Sequence, residues 1–61
     1  MYDKFLKLIN QRQITAYKVS KDIGISPTVF SDWKSGKSSP KIDKLQKIAV
    51  YFDVSIEYFL D

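Results

Sequence analysis

The 61-residue chain has no cysteine and no histidine. Without thiols it can form neither a disulfide nor a thiolate metal site, and without imidazole it lacks the commonest general base and metal ligand. Structural metal and most nucleophilic chemistry are excluded, so no metal, no cofactor and no catalytic residue is expected, and the chain does not read as an enzyme. No apolar run approaches the roughly 18 residues that cross a bilayer. The opening MYDKFLKLIN is too charged and too periodic for a signal peptide, and a cytoplasmic location follows as the expectation. Glycine and proline occur twice each. Each of the four therefore punctuates the chain at a specific place.

What is present is a good supply of bulky apolar side chains: four Phe, four Tyr and one Trp, with many Ile, Leu and Val. A chain this short forms one domain, residues 1–61, whose core has to come from those rings. Charge is divided unevenly. All ten Lys and Arg lie between Met1 and Lys47, against Asp3, Asp22, Asp32 and Asp43 in the same span. From Ile48 onward there is no basic residue, while Asp53, Glu57 and Asp61 are acidic. One region can face a polyanion and the other must do something else.

Trp33 to Pro40 reads WKSGKSSP, and its Gly-Lys-Ser triplet is how a nucleotide-phosphate loop ends. Such a loop needs a second glycine five positions before Gly36, where Ser31 stands, and must run from a buried strand into a helix. The preceding residues carry a helical pattern instead, so a nucleotide cradle is rejected and the lysines need another explanation.

The periodicity predicts five helices and no strand. Tyr2, Phe5, Leu6 and Ile9 mark one face of a first helix running to about Gln11. The chain breaks near Gln13, Thr15 caps a short second helix with Val19 and Ile23 on its face, and Gly24 ends it in a left-handed turn against which Ile25 packs back. Ser26-Pro27 is the strongest local signal: serine caps, and proline fits the first helical turn, where its missing N–H costs nothing. Phe30 and Trp33 form the buried stripe of this third helix, and Gly36 stops it. Ser39-Pro40 repeats the start signal for a fourth helix with Ile42, Leu45, Ile48, Ala49 and Phe52 on one face, ending near Asp53. Ser55 caps a last helix, Ile56 to Leu60. The fold class is all-α.

Two short helices joined by a glycine-containing turn, with further helices supplying core, is the layout of a helix-turn-helix. From Ala16 to Trp33 the sequence AYKVSKDIGISPTVFSDW resembles the motif of the lambdoid phage repressor and Cro family, the Xre-like group. Apolar Val19, small Ser20, apolar Ile23, Gly24 at the turn, apolar Ile25, then Phe30 and Trp33 carry the likeness. Ser35 to Leu60, SGKSSPKIDKLQKIAVYFDVSIEYFL, resembles the glycine, basic loop and closing helices that follow in that family. The resemblance implies a lambda-repressor-like domain with its helix-turn-helix at helices 2 and 3, binding double-stranded DNA. Three positions depart from it. Ala16 stands where the family often has a phosphate-binding glutamine, Ser20 replaces the usual alanine, and Asp53 replaces a glycine after the fourth helix.

With Phe30 and Trp33 buried, a helical wheel puts Thr28, Ser31, Asp32 and Ser35 on the opposite side of the third helix, with Pro27 at its tip. The resemblance assigns base contact to Pro27, Thr28 and Asp32. Thr28 can offer a hydroxyl or place its methyl on thymine, and Asp32 can accept from cytosine N4, pair with a lysine or repel wrong bases. Pro27 also has a purely structural role as helix starter. Phosphate contacts are expected from Thr15 and Ala16 at the start of helix 2, the latter through its backbone, and from Lys34, Ser35, Lys37, Ser38 and Lys41 after helix 3. Lys18 and Lys21 are secondary candidates.

The basic-free tail is apolar, and the resemblance puts Ile56, Glu57 and Tyr58 across the two-fold axis of a homodimer, with Phe59 and Leu60 in the core. The alternative is that Tyr58 packs inward and the chain is a monomer. The whole reads as a prokaryotic or phage transcriptional regulator, a repressor occupying a palindromic operator as a dimer. Met1 reads as a natural start, and the end after the fifth helix fits either a small Cro-like protein or the first domain of a longer repressor. A second reading is a DNA-binding antitoxin or partner-binding module whose apolar last helix captures another protein.

Overall fold

A computed structural model describes residues 1–60. Five helices follow one another: α1 Tyr2–Arg12, α2 Ala16–Ile23, α3 Pro27–Ser35, α4 Ile42–Phe52 and α5 Glu57–Leu60. None of them is long and apolar enough to cross a membrane. The helix ends obey local chemistry. Gly24 and Gly36 terminate α2 and α3 with φ of 71° and 81°, and Gln13 and Asp53 do the same for α1 and α4 with φ of 56° and 57°. A Cβ at Gly24 or Gly36 would meet nothing within 4 Å, so glycine is there for its left-handed backbone and not for space. Asp53 takes the left-handed turn that the sequence comparison assigned to a glycine, as a short polar side chain tolerates.

The core is built around Phe5. Its ring lies 5.1 Å from Phe30, 5.3 Å from Trp33 and 6.0 Å from Phe52, so one α1 side chain joins α3 to α4. Trp33 extends the cluster to Tyr2 and Phe59, tying the first turn of α1 and the last helix to α3. Val19, Ile25, Leu45, Ile48 and Ala49 complete it. α2 packs on both α3 and α4, and α5 lies against α1. Offset and edge-on ring pairs of this kind add about 0.5–1.5 kcal/mol each beyond the area they bury, which matters in a domain with no cross-link.

Four expectations require correction. The buried face of α1 is Phe5, Leu8 and Ile9, while Leu6 is exposed. Tyr2, Phe5 and Ile9 set a stripe that Leu6 and Leu8 flank on opposite sides, and the position of the other helices selects Leu8. Ser39-Pro40 does not start α4: Pro40 is buried in the connection, and the helix begins at Ile42 with Lys41 as its N-cap. Ile42, placed on the apolar face, is exposed. Leu60, expected in the core with Phe59, is also exposed, because a single helical turn can aim only one of two consecutive side chains inward.

Candidate nucleic-acid interface

Ser20 lies on the buried side of α2, the helix that packs on both α3 and α4. This serine is 2% exposed, and its hydroxyl donates to the Tyr17 carbonyl at 2.6 Å, so a buried polar group is satisfied within its own helix. The Ser20 carbonyl accepts from the backbone N–H groups of Gly24 and Ile25, which closes the turn and brings Ile25 back onto the core. Ser26 then caps α3: its Oγ accepts from the Thr28 N–H at 3.3 Å and its carbonyl from the Val29 N–H at 3.0 Å. With Phe30 and Trp33 locked among rings, the rotation of α3 is determined. Pro27, Thr28, Ser31 and Ser35 face outward, and Asp32 stands partly buried at the edge of that face.

Asp32 does two things. Its carboxylate forms no ion pair among the described residues, so the expected alternative of a lysine partner is not realised. Its carbonyl accepts from the Lys37 N–H at 2.9 Å, the Ser38 N–H at 3.3 Å and the Ser35 hydroxyl at 3.1 Å. The loop after α3 is thereby folded back on the helix end, and the side chains of Lys34, Lys37, Ser38 and Lys41 project into solvent from one short stretch. Ser35 has spent its hydroxyl proton on Asp32, so toward a phosphate it has no donor left. α4 follows with no side-chain cap, which leaves its first amides open beside these lysines.

At the other corner, Thr15 accepts from the Lys18 N–H at 3.1 Å, leaving its hydroxyl proton to donate outward, and Ala16 opens α2 beside it. Lys18 and Lys21 are differently placed. Lys18 pairs with Asp22 at 3.2 Å, and Asp22 accepts from the Tyr51 hydroxyl at 2.6 Å, a chain of contacts from α2 to α4. Tyr51 and Lys18 hold the Asp22 carboxyl below the usual carboxylate range, and Asp22 in turn raises both Lys18 and Tyr51. The Lys21 ammonium lies 5.7 Å from the Tyr17 ring.

Arg12 was counted with the basic half, but its guanidinium donates to the Phe52 carbonyl at 3.0 Å and stacks on the Phe52 ring. α4 has no basic residue in its own last turn, and α1 supplies one. No local pattern announces such a cap from forty residues away.

The tail separates residues that the sequence grouped. Glu57 is exposed, whereas Ile56 and Tyr58 are partly buried against the core. The Tyr58 ring meets Phe59 edge-on at 5.4 Å and has the Lys4 ammonium 5.6 Å from its centre, so one part of it packs toward α1 while the rest stays exposed.

A family profile described as Helix-turn-helix matches residues 6–59. The chain belongs to that family. Its α2 with buried Ser20, turn at Gly24 and capped α3 are the motif's two helices and the turn between them. Among characterised proteins, the HTH-type transcriptional activator BcrR of Enterococcus faecalis is 29% identical over 58 residues. That alignment takes in 95% of this chain but 28% of BcrR, so the chain spans under a third of its relative. No solved structure gives a significant match.

Proposed function

We propose that the chain binds double-stranded DNA as the sequence-reading unit of a transcriptional regulator, with α3 lying in the major groove. The observation that carries this is the outward face of α3. Pro27, Thr28 and Ser31 stand exposed on a helix whose rotation the core fixes, and Lys34, Lys37 and Lys41, which form no ion pair among the described residues, flank it where a backbone would pass. Thr28, Ser31, Pro27 and Asp32 contact base edges. Asp32 is the residue suited to cytosine N4, because its carboxylate has no partner of its own. Thr15, the Ala16 backbone, Lys34, Lys37, Ser38 and Lys41 hold phosphates and set register, while Ser35, whose hydroxyl proton is used on the Asp32 carbonyl, shapes the loop between them.

One such unit reads few base pairs, so the regulator acts as a homodimer on a palindromic operator, Ile56, Glu57 and Tyr58 lying nearest the two-fold axis. Occupying an operator that overlaps a promoter represses it. Activation is a second reading, favoured by the similarity to the transcriptional activator BcrR, and it places the same operator beside the promoter. Selection of bound duplexes from a random pool by the purified chain tests both. Enrichment of a palindrome with half-sites about one helical turn apart supports the proposal. Salt-sensitive binding with no enriched sequence would refute sequence reading by this chain.

A further inference from the structure

A cleft with a volume of about 490 Å³ lies between α1, the connection to α2, the first turn of α2 and α3. Leu6, Ile9, Ile14 and Phe30 make its apolar floor. Asn10, Tyr17, Ser31 and Lys34 stand around it and supply an amide, two hydroxyls and an ammonium. We propose that this cleft binds a small amphipathic anion, an aromatic or acyl carboxylate, and that its occupation excludes DNA from α3.

Three observations converge on that ligand class. Volume comes first: small-molecule sites are mostly apolar clefts of about 300–1,000 Å³ with a few polar groups that fix orientation, and this one is within that range and of that character. It is far too small for a folded partner. Second, Leu6 is 41% and Tyr17 61% exposed, two large side chains that the core leaves uncovered, and both line this cleft. An apolar ring or acyl chain seated between them removes that surface from water.

Third, the charge is of one sign. None of the lining residues is acidic, and Lys34 makes no ion pair among the described residues. A carboxylate on an apolar body satisfies both features, whereas inorganic phosphate leaves the floor uncovered and a cationic amphiphile meets Lys34.

The coupling to DNA rests on the proposed reading of α3. Pro27 and Ser31 belong both to the cleft wall and to the outward face of that helix. A ligand against them occupies space that a DNA strand over the N-terminal half of α3 requires, so the two compete. Lys34, assigned to a phosphate in the DNA complex, is the ligand's counter-ion when DNA is absent.

The test uses the ¹⁵N-labelled 61-residue chain titrated with 2-naphthoate, and separately with 2-naphthamide, which has the same ring system and no charge. Expected are saturable shifts of the backbone amides of Leu6, Ile14, Tyr17 and Ser31 with naphthoate. The amide should bind about threefold or more weakly, as should naphthoate to Lys34→Ala, the scale of a partly exposed ion pair. Lys34 is exposed, so this variant keeps its fold. Leu6→Glu, also at an exposed position, should abolish naphthoate binding by filling and charging the cleft. Non-saturating shifts scattered over the surface, or equal affinity for naphthoate and naphthamide, would overturn the site. Saturating naphthoate should also release a bound duplex, and unchanged duplex affinity would overturn the competition. Naphthoate binding by a chain that binds no duplex under any condition would support the cleft and sink the DNA reading instead.

Discussion

α2 and α3 are built by the same local rules and spend their polar groups in opposite directions. Each is capped by a hydroxyl residue, each ends at a left-handed glycine, and each runs eight or nine residues. Along α2 the charged and polar side chains are engaged within the protein: Ser20 with Tyr17, Lys18 with Asp22, Asp22 with Tyr51, Lys21 over Tyr17. Along α3 and the loop after it, Thr28 and Ser31 face solvent, Lys34 and Lys37 are exposed and form no ion pair among the described residues, and the groups that are engaged, Ser35 and the Asp32 carbonyl, serve to shape the loop. The difference teaches that capping and turn signals define where helices are, while the availability of partners divides them into one whose polar groups are engaged within the protein and one whose polar groups stay exposed, as the proposed reading of α3 requires.

The largest way to break this comparison is at the buried serine of α2. Ser20→Leu should cost about 1–3 kcal/mol by forcing a larger side chain into a position that is 2% exposed. Against the total of about 3–9 kcal/mol expected for a domain of this length, that is a large loss. Thermal unfolding followed by circular dichroism should show a clearly lowered midpoint, whereas Ser20→Ala, which removes the hydroxyl with its internal bond, should change it little.

A smaller effect is expected at the recognition face itself. Thr28→Ala should leave stability unchanged and reduce discrimination at one base position by about 1 kcal/mol, read by repeating the duplex selection with the variant. An unaltered preferred site would show that α3 is rotated relative to the groove from the orientation proposed here.

The comparison is sharpened by two lysines. Lys37→Ala should weaken binding to all duplexes alike and flatten the logarithmic salt dependence by about one, because its ammonium forms no ion pair among the described residues. Lys18→Ala should leave that slope unchanged, because Lys18 is already held by Asp22. Equal slopes for the two variants would erase the distinction drawn between the helices.

The smallest effect concerns the α2–α4 seam. The Asp22 carboxyl is held below its ordinary 3.8 by the Tyr51 hydroxyl and then Lys18. A lowered folded value means that its contribution is complete above the unfolded value and is lost as pH falls through the folded one. Asp22→Asn should therefore be slightly less stable than the parent near neutral pH, and the gap should close below about pH 4. Tyr51 is raised above its ordinary 10.0 by the same bond. Its contribution is present below that value and lost as pH rises through the folded value, so Tyr51→Phe should differ from the parent at neutral pH and converge with it in alkali. Urea midpoints across pH measure both.

Much of the fold was legible where a residue's own backbone preference decides the outcome. Thr15, Gly24, Ser26-Pro27 and Gly36 each act within a few residues of themselves, and each is where the sequence put it. Ser39-Pro40 shows the limit: the same dipeptide that caps α3 is drawn into the connection when Pro40 is buried, because packing outweighs a local start signal. The choice of Leu8 over Leu6, and the exposure of Leu60, depend on which neighbours arrive from elsewhere in the chain.

The candidate interface was legible in the same proportion. The wheel through Phe30 and Trp33 placed Thr28, Ser31 and Ser35 on the exposed face of α3, since two buried rings determine a rotation, but Asp32, placed with them, is partly buried at its edge. It could not show that Lys18 is occupied by Asp22 or that Arg12 caps α4, because both facts depend on contacts between helices that no spacing encodes.

The central claim is that α3 and the basic loop after it form the DNA-reading surface, and the most direct measurement maps that surface. The ¹⁵N-labelled chain would be titrated with its selected duplex, with 0.1 M salt on the order used to suppress weak surface binding. Amide shifts and line broadening concentrated between Pro27 and Lys41, with a second cluster at Thr15 and Ala16, are predicted. Shifts concentrated on Val54 to Leu60, with α3 unperturbed, would contradict it.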